Sequence, residues 1–295
     1  KKCLMSQWEG KSKGTPTGYR IFVFLIKMFG LRAAYFVLYF VALYYYFFSI
    51  NSSKNIYYFY RYRMGFNFFK SLKMLYKNYY VFGQTLIDKT AVIANLVGNY
   101  SFQFTGENYL REIVQQGKGG ILLSAHIGNW EAAGHLLKRL ETRIHILMFD
   151  GEDPKIKSYI ESMKSARSFN IILVKDDLSH IYKISEALAV NELVCIHADR
   201  FLPKNKTISA SFLGKETFFP EGPFQLALKF GVPVAFVYAF KADILKYHFY
   251  SSTIKYYSKK NGHSLETVLN DYLDDLEDKL KQYPEQWFNY YKFWN

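Results

Sequence analysis

The chain has 295 residues, half of them hydrophobic and 21% charged, which suffices for a packed core and excludes a disordered tract. Its formal net charge is +13 and its aromatic share 19%, carried by 26 Tyr and 27 Phe against 4 Trp. That balance points to an anionic partner (nucleic acid, anionic lipid or an acidic protein), and so many Tyr and Phe beside Lys suit a membrane interface or a stacking surface. The two cysteines, Cys3 and Cys195, form no CxxC pair. A disulfide framework and a zinc ribbon are therefore unsupported, and a reducing compartment is the simplest setting.

Residues 33–53 carry no charge. The apolar part, residues 33–50, is long enough for a candidate spanning helix at about 1.5 Å rise per residue. It is too long for a signal peptide and no small-residue cleavage site follows it. A buried core helix would also be apolar all round. Lys11, Lys13, Arg20, Lys27 and Arg32 precede the run, and Lys54, Arg61, Arg63, Lys70, Lys73 and Lys77 follow it. Cations on both flanks give no orientation by the positive-inside rule and fit a helix lying at, or dipping into, an anionic leaflet. Next, Phe68, Leu72, Leu75 and Tyr79 recur at helical spacing while Lys70, Lys73 and Lys77 share another face. That is the pattern of a basic amphipathic helix. Residues 1–80 are thus expected to form a membrane-associated helical arm, followed by an α/β domain over residues 81–295.

From about Gly117 short apolar runs alternate with helical stretches. GGILLSAH predicts a buried strand and NWEAAGHLLKRL the helix after it, with Asn129 a plausible N-cap. Strands follow at HILMF, NIILV, ELVCIHAD and VPVAFVYAF. Helices are expected at KIKSYIESMKSA, HIYKISEALAV, GPFQLALKFG (closed by Gly231) and in the acidic stretch HSLETVLNDYLDDLEDKLKQY. This alternation predicts a layered α/β/α domain with a mostly parallel central sheet, preceded by the helical arm.

Ligands of such sheets bind beyond the carboxyl ends of the strands. One strand ends at Ser124-Ala125-His126, with Glu131 shortly after; another ends at His197-Ala198-Asp199-Arg200; Phe218-Phe219-Pro220-Glu221-Gly222-Pro223 opens a helix. Three polar clusters at comparable positions suggest one site. A His–Glu pair across a strand-to-helix turn can deprotonate an alcohol, because a carboxylate on one ring nitrogen leaves the other to take a proton. No GxSxG elbow is present, so direct transfer to an acceptor hydroxyl is more natural than a covalent acyl-enzyme. The plain alternative is a loop-capping His126 and a Glu131 that only complements a helix dipole. A metal site built on His126, His135 and His197 lacks the HExxH spacing, and no RNP-like or helix-turn-helix pattern supports nucleic acid.

HxxxxE after an apolar strand, ADR after a strand, FPEG before a helix and the VPV strand resemble, in order and spacing, the four blocks of the lysophospholipid acyltransferase superfamily. Within it the chain is similar to the lipid A biosynthesis (lauroyl/myristoyl) acyltransferase family. AHIGNWEAAGHLL, FLGKETFFPEGPFQLALKFGVPV, the closing YPEQWFNYYKFW and the early W-x-G-x-S-x-G stretch carry that likeness over nearly the whole chain. The resemblance implies an O-acyltransferase in which His126 is the general base and Glu131 orients it. Asp199 and Arg200 match the second block, with Arg200 suited to phosphate; Glu221 and Gly222 match the third, where Glu221 could hold a hydroxyl and Gly222 admit a ligand. Asn129 caps the helix or donates to the oxyanion. The resemblance further implies an acyl-carrier-protein thioester as donor (acyl-CoA being the alternative), no cofactor or metal, and a lipid hydroxyl acceptor on a lipid A precursor. Acyl carrier protein and anionic membrane lipid are the expected partners, at the cytoplasmic face of a bacterial inner membrane. A lysophospholipid, aminolipid or pigment hydroxyl as acceptor, or a non-catalytic membrane binder, are the other readings. Glu221 departs from the small polar residue common among relatives, and Tyr290-Tyr291-Lys292 replaces their basic pair.

Overall fold

The computed structural model describes residues 16–93, 96, 100–129, 140–148, 169–175 and 177–294. The helices expected at residues 129–140 and 155–166 lie almost wholly outside these, as do Glu131 and His135. In chain order the strands are β1 (Ser101–Thr105), β2 (Gly120–Ser124), β3 (Ile144–Met148), β4 (Asn170–Leu173), β5 (Leu193–His197), β6 (Thr207–Phe212), β7 (Lys215–Pro220), β8 (Val234–Asp243) and β9 (Lys246–Ser251). The helices are α1 (Pro16–Phe48), α2 (Ile50–Tyr58), α3 (Phe68–Ile93), α4 (Glu107–Gln115), α5 (Ser179–Ala189), α6 (Glu221–Phe230) and α7 (Leu265–Gln282).

Seven strands make the central sheet in the order β1-β9-β8-β2-β5-β3-β4, while β6 and β7 pair antiparallel on their own. Every neighbouring pair in the large sheet is parallel except β8–β9. Strict alternation of side chains builds a core on each face. Ile121, Leu123, Val194, Ile196 and Phe236 join α5, α6 and α7 on one side; Leu122, Leu193, Cys195 and Ala235 meet Leu110 and Ile113 of α4 on the other. The central strands are apolar on both faces because both are covered, as a parallel sheet requires.

Four short strands had no distinct sequence signal: β1, β9 and the β6–β7 hairpin. The hairpin turns on Leu213 and Gly214, at φ 49° and 74°, the left-handed pair that matches strand twist in a two-residue turn.

The arm packs on the sheet. Helix α3 runs straight through residues 80–81, where the sequence placed the domain boundary. Ile56, Phe59, Leu75 and Tyr79 of the arm share one core cluster with Ile121, Phe236 and Trp287 of the sheet domain. Helix α1 bends at Gly30 (φ 79°, ψ 174°) and lays Leu31, Ala34, Tyr35 and Leu38 on Ile87 and Ala91 of α3. Gly83 permits that approach, since a Cβ there would overlap the Leu38 side chain.

A buried ion pair locks the junction. Lys241 Nζ of β8 lies 2.6 Å from Asp88 Oδ2 of α3, and also donates to the Tyr35 hydroxyl and the Ile244 carbonyl, both at 2.9 Å. Asp88 accepts further bonds from the Tyr35, Tyr100 and Tyr247 hydroxyls. A buried carboxylate and ammonium are tolerable only when so fully engaged.

Candidate active site

Strands β2 and β5 are adjacent and in register, Ser124 opposite His197. The parallel ladder continues for one more bond, Ala198 N–H to the Ser124 carbonyl at 2.9 Å. The chain segments leaving the two strands therefore run side by side. They bring His126 and Asp199 together, 73 residues apart in sequence. His126 Nδ1 lies 2.7 Å from Asp199 Oδ1, and Asp199 Oδ2 accepts the His126 backbone N–H at 3.0 Å.

Two flanking segments hold the loop that carries His126. On one side Asn129 N–H donates to the Ala239 carbonyl of β8 at 2.7 Å. On the other, residues 286–288 lie antiparallel: Gly128 N–H donates to the Gln286 carbonyl (2.8 Å) and Phe288 N–H to the His126 carbonyl (3.1 Å). Gly128 sits between them at φ 65°, and a Cβ there would overlap the Ala239 carbonyl. Only glycine meets both demands.

Asp199 is 1% exposed. Burial alone would raise its pKa, but the charge and hydrogen bond of His126, with Arg200 and His197 behind them, hold it well below the usual carboxylate range. It is an acceptor only, so Nδ1 of His126 carries the proton and Nε2 has the lone pair. The His126 pKa is lowered, first by burial and then by the Arg200 charge, against the raising effect of Asp199. A quarter of the His126 side chain still faces solvent, enough for a reactant to reach it. The His197 ring tilts against that of His126 at a centroid distance of 4.7 Å, and burial, helped by the charges of His126 and Arg200, pushes its pKa down to about 3.

The other expected residues take distinct positions. Arg200 Nη2 donates to the Phe288 carbonyl at 2.5 Å, and its guanidinium lies 5.8 Å from the Tyr291 ring, so it braces the closing segment against the site. Asn129 is buried, and its Nδ2 donates to Tyr247 Oη at 3.1 Å and the Thr85 carbonyl at 3.4 Å, which ties it to the Asp88 network. Glu221 is the first residue of α6; its carboxylate accepts from Gln225 Nε2 at 2.8 Å and its N–H donates to the Lys206 carbonyl. The third polar cluster opens a helix, as expected. It follows β7, which belongs to the separate hairpin and not to the central sheet. Gly222 is exposed, with open space where a Cβ would stand.

Sequence reasoning paired His126 with the nearest downstream carboxylate, Glu131, and passed over its link to Asp199. It took the closing segment only as part of the family likeness and did not place it at the site, where the Phe288 carbonyl and the Tyr291 ring meet Arg200. The dense aromatics of YPEQWFNYYKFW were the available signal. Among the described residues no three His, Cys, Asp or Glu side chains are placed to hold a metal ion. An apolar cavity of about 40 Å³ lies beyond Ser124, lined by Ile146, Cys195, Val237 and Phe249. That is well below the ~150 Å³ that holds a benzene, so it has no room for a fatty acyl chain.

The family model described as bacterial lipid A biosynthesis acyltransferase matches residues 19–295, and the chain belongs to that family. Among curated proteins no match is found.

Proposed function

We propose that this member of the bacterial lipid A biosynthesis acyltransferase family moves a fatty acyl group from an acyl-carrier-protein thioester to a lipid hydroxyl. The acceptor we infer is a lipid A precursor in the cytoplasmic leaflet of a bacterial inner membrane. His126 Nε2 takes the hydroxyl proton as the acceptor oxygen attacks the thioester carbonyl. The tetrahedral intermediate collapses with cleavage of the C–S bond. The carrier thiolate leaves and takes the proton back from the imidazolium. Asp199 holds the tautomer and stabilises the imidazolium between these events. The chemistry as written uses no cofactor.

In this reading Glu131 orients the base or the acceptor. Arg200 supplies a fixed positive charge for an acceptor phosphate. Glu221 and Gly222 border the acceptor, where the open space above Gly222 admits a ligand. Asn129 Nδ2 points toward Thr85 and Tyr247, so main-chain N–H groups are the better candidates for the oxyanion. The +13 charge suits both an acidic carrier protein and anionic head groups.

The observation that carries the proposal is the His126–Asp199 pair at neighbouring strand ends. The test is acyl transfer from labelled acyl carrier protein to total membrane lipid by wild type, His126→Ala and Glu131→Ala. Transfer that collapses in folded His126→Ala supports the base, and the labelled lipid names the acceptor. Undiminished transfer by His126→Ala removes it.

A further inference from the structure

The structure assigns the outer face of α1, α2 and the start of α3 to one leaflet of an anionic bilayer, with α1 lying along the surface and not crossing it. This goes beyond the acyl-transfer reading and stands independently of it, because it concerns only how the chain meets lipid.

The apolar run at residues 33–50 reaches about 27 Å as a helix, nearly the depth of the hydrocarbon. Both of its ends, however, are fastened to the same folded domain. Near the first, the Tyr35 hydroxyl bonds Asp88 and Lys241, and Lys241 belongs to the central sheet. Near the second, the Tyr45 ring stacks on Tyr79 and Tyr79 on Tyr290, Asn55 Nδ2 donates to the Tyr290 carbonyl, and Ile56 and Phe59 are buried with Trp287. A spanning helix needs its ends on opposite sides of the membrane. One domain cannot hold both.

The face turned away from that domain is lipid-like along its whole length. Phe36, Phe40, Tyr44, Phe47 and Phe48 recur on one side of α1 beyond the bend, each 56% or more exposed. Phe24 (58% exposed) extends the apolar surface before the bend, and Phe69 at the start of α3 is 80% exposed. Lone exposed apolar residues are ordinary, but a row of exposed rings along one side of a helix, Phe36 against Phe40 and Tyr44 against Phe48, marks a binding surface. The charges on the same helices select the occupant. Lys27, Arg32, Lys54, Arg61, Lys70 and Lys73 are all exposed and interleaved with these rings in sequence. Aromatic rings with a basic fringe fit the head-group boundary of an anionic leaflet.

The experiment uses the whole chain with Cys3→Ser. Cys195 can stay, because it is buried and burial pushes its thiol up to about 12. Phe24→Cys, Phe40→Cys and Phe48→Cys receive a fluorescent label, with the exposed Lys260→Cys, at the sheet edge opposite the strand carboxyl ends, as a solvent control. The proteins are bound to phosphatidylglycerol-rich vesicles that carry quenchers at known depths. Surface docking places all three labels at similar shallow depth in the leaflet facing the added protein, and leaves Lys260→Cys unquenched. A deep label at Phe40→Cys with Phe48→Cys in the far leaflet means that α1 spans, and overturns the proposal. Quenching at none of the three overturns it as well. Independently, Phe40→Ser with Phe48→Ser should weaken binding about tenfold per ring. Lys54→Glu with Lys70→Glu and Lys73→Glu should weaken it several-fold on anionic vesicles alone. Unchanged binding by both sets sinks the assignment.

Discussion

Asp199 grips His126 twice: one carboxylate oxygen meets ring Nδ1 at 2.7 Å and the other accepts the backbone N–H of the same residue. Ring and main chain are thus fixed by a single carboxylate. Asp199→Asn removes the charge while keeping the size. It should lower kcat by about 10²–10⁴, by analogy with carboxylates that orient a catalytic histidine, and leave KM for the acyl donor within a few-fold. Steady-state kinetics on protein of native circular dichroism decides it. A loss below tenfold would remove Asp199 from the mechanism.

The pH dependence has a defined sign. A general base must be neutral, and the His126 pKa lies below its ordinary 6.5 because burial and the Arg200 charge outweigh Asp199. Log kcat/KM should therefore rise with pH through a value below 6.5 and be flat near 7. Arg200→Gln deletes a lowering influence and should shift this limb upward; Asp199→Asn deletes a raising one and should shift it downward. A wild-type limb above 7 would contradict the assignment.

How much of this was legible in the sequence follows from which contacts are local. The layered α/β/α class, the ends of β2 and β5, and α6 with its closing Gly231 were readable, because apolar period and cap chemistry lie within a few residues. The His126–Asp199 contact was not, because it depends on β2 and β5 being neighbours, and strand order leaves no mark on either segment. The same holds for Lys241, which reads as the charged end of a strand until α3 brings Asp88 to it. The helix that carries the basic face at Lys70, Lys73 and Lys77 runs on to Ile93, and that continuity too depends on packing that the local pattern does not record.

Removing one partner of the buried pair should be costly. Lys241→Met strands the fully buried Asp88 without its cation, and a loss of about 3–5 kcal/mol is expected in urea unfolding. Asp88→Asn combined with Lys241→Met should cost less than Lys241→Met alone. If the double variant is the worse of the two, the cost lies in packing and not in charge.

Gly128→Ala tests the turn beneath His126. It places a side chain at φ 65° against the Ala239 carbonyl, and should cost ~2 kcal/mol or more in stability. Gly222→Ala meets open space and should leave the melting temperature within a degree or two. The contrast separates a glycine required by the fold from one that borders solvent. A melting temperature unchanged in Gly128→Ala would show that the loop can take another path.

The strand-like segment at residues 286–288 touches the His126 loop on one side, and on the other its Phe288 ring packs on Phe82 of α3 at 4.9 Å. One thickness of chain therefore separates the His126 loop from α3, the helix whose start we assign to the leaflet. An acceptor dissolved in the leaflet would be searched for in two dimensions, and its effective concentration would be a mole fraction. Diluting it with inert lipid at a fixed total amount should then slow turnover, as stirring or volume would not.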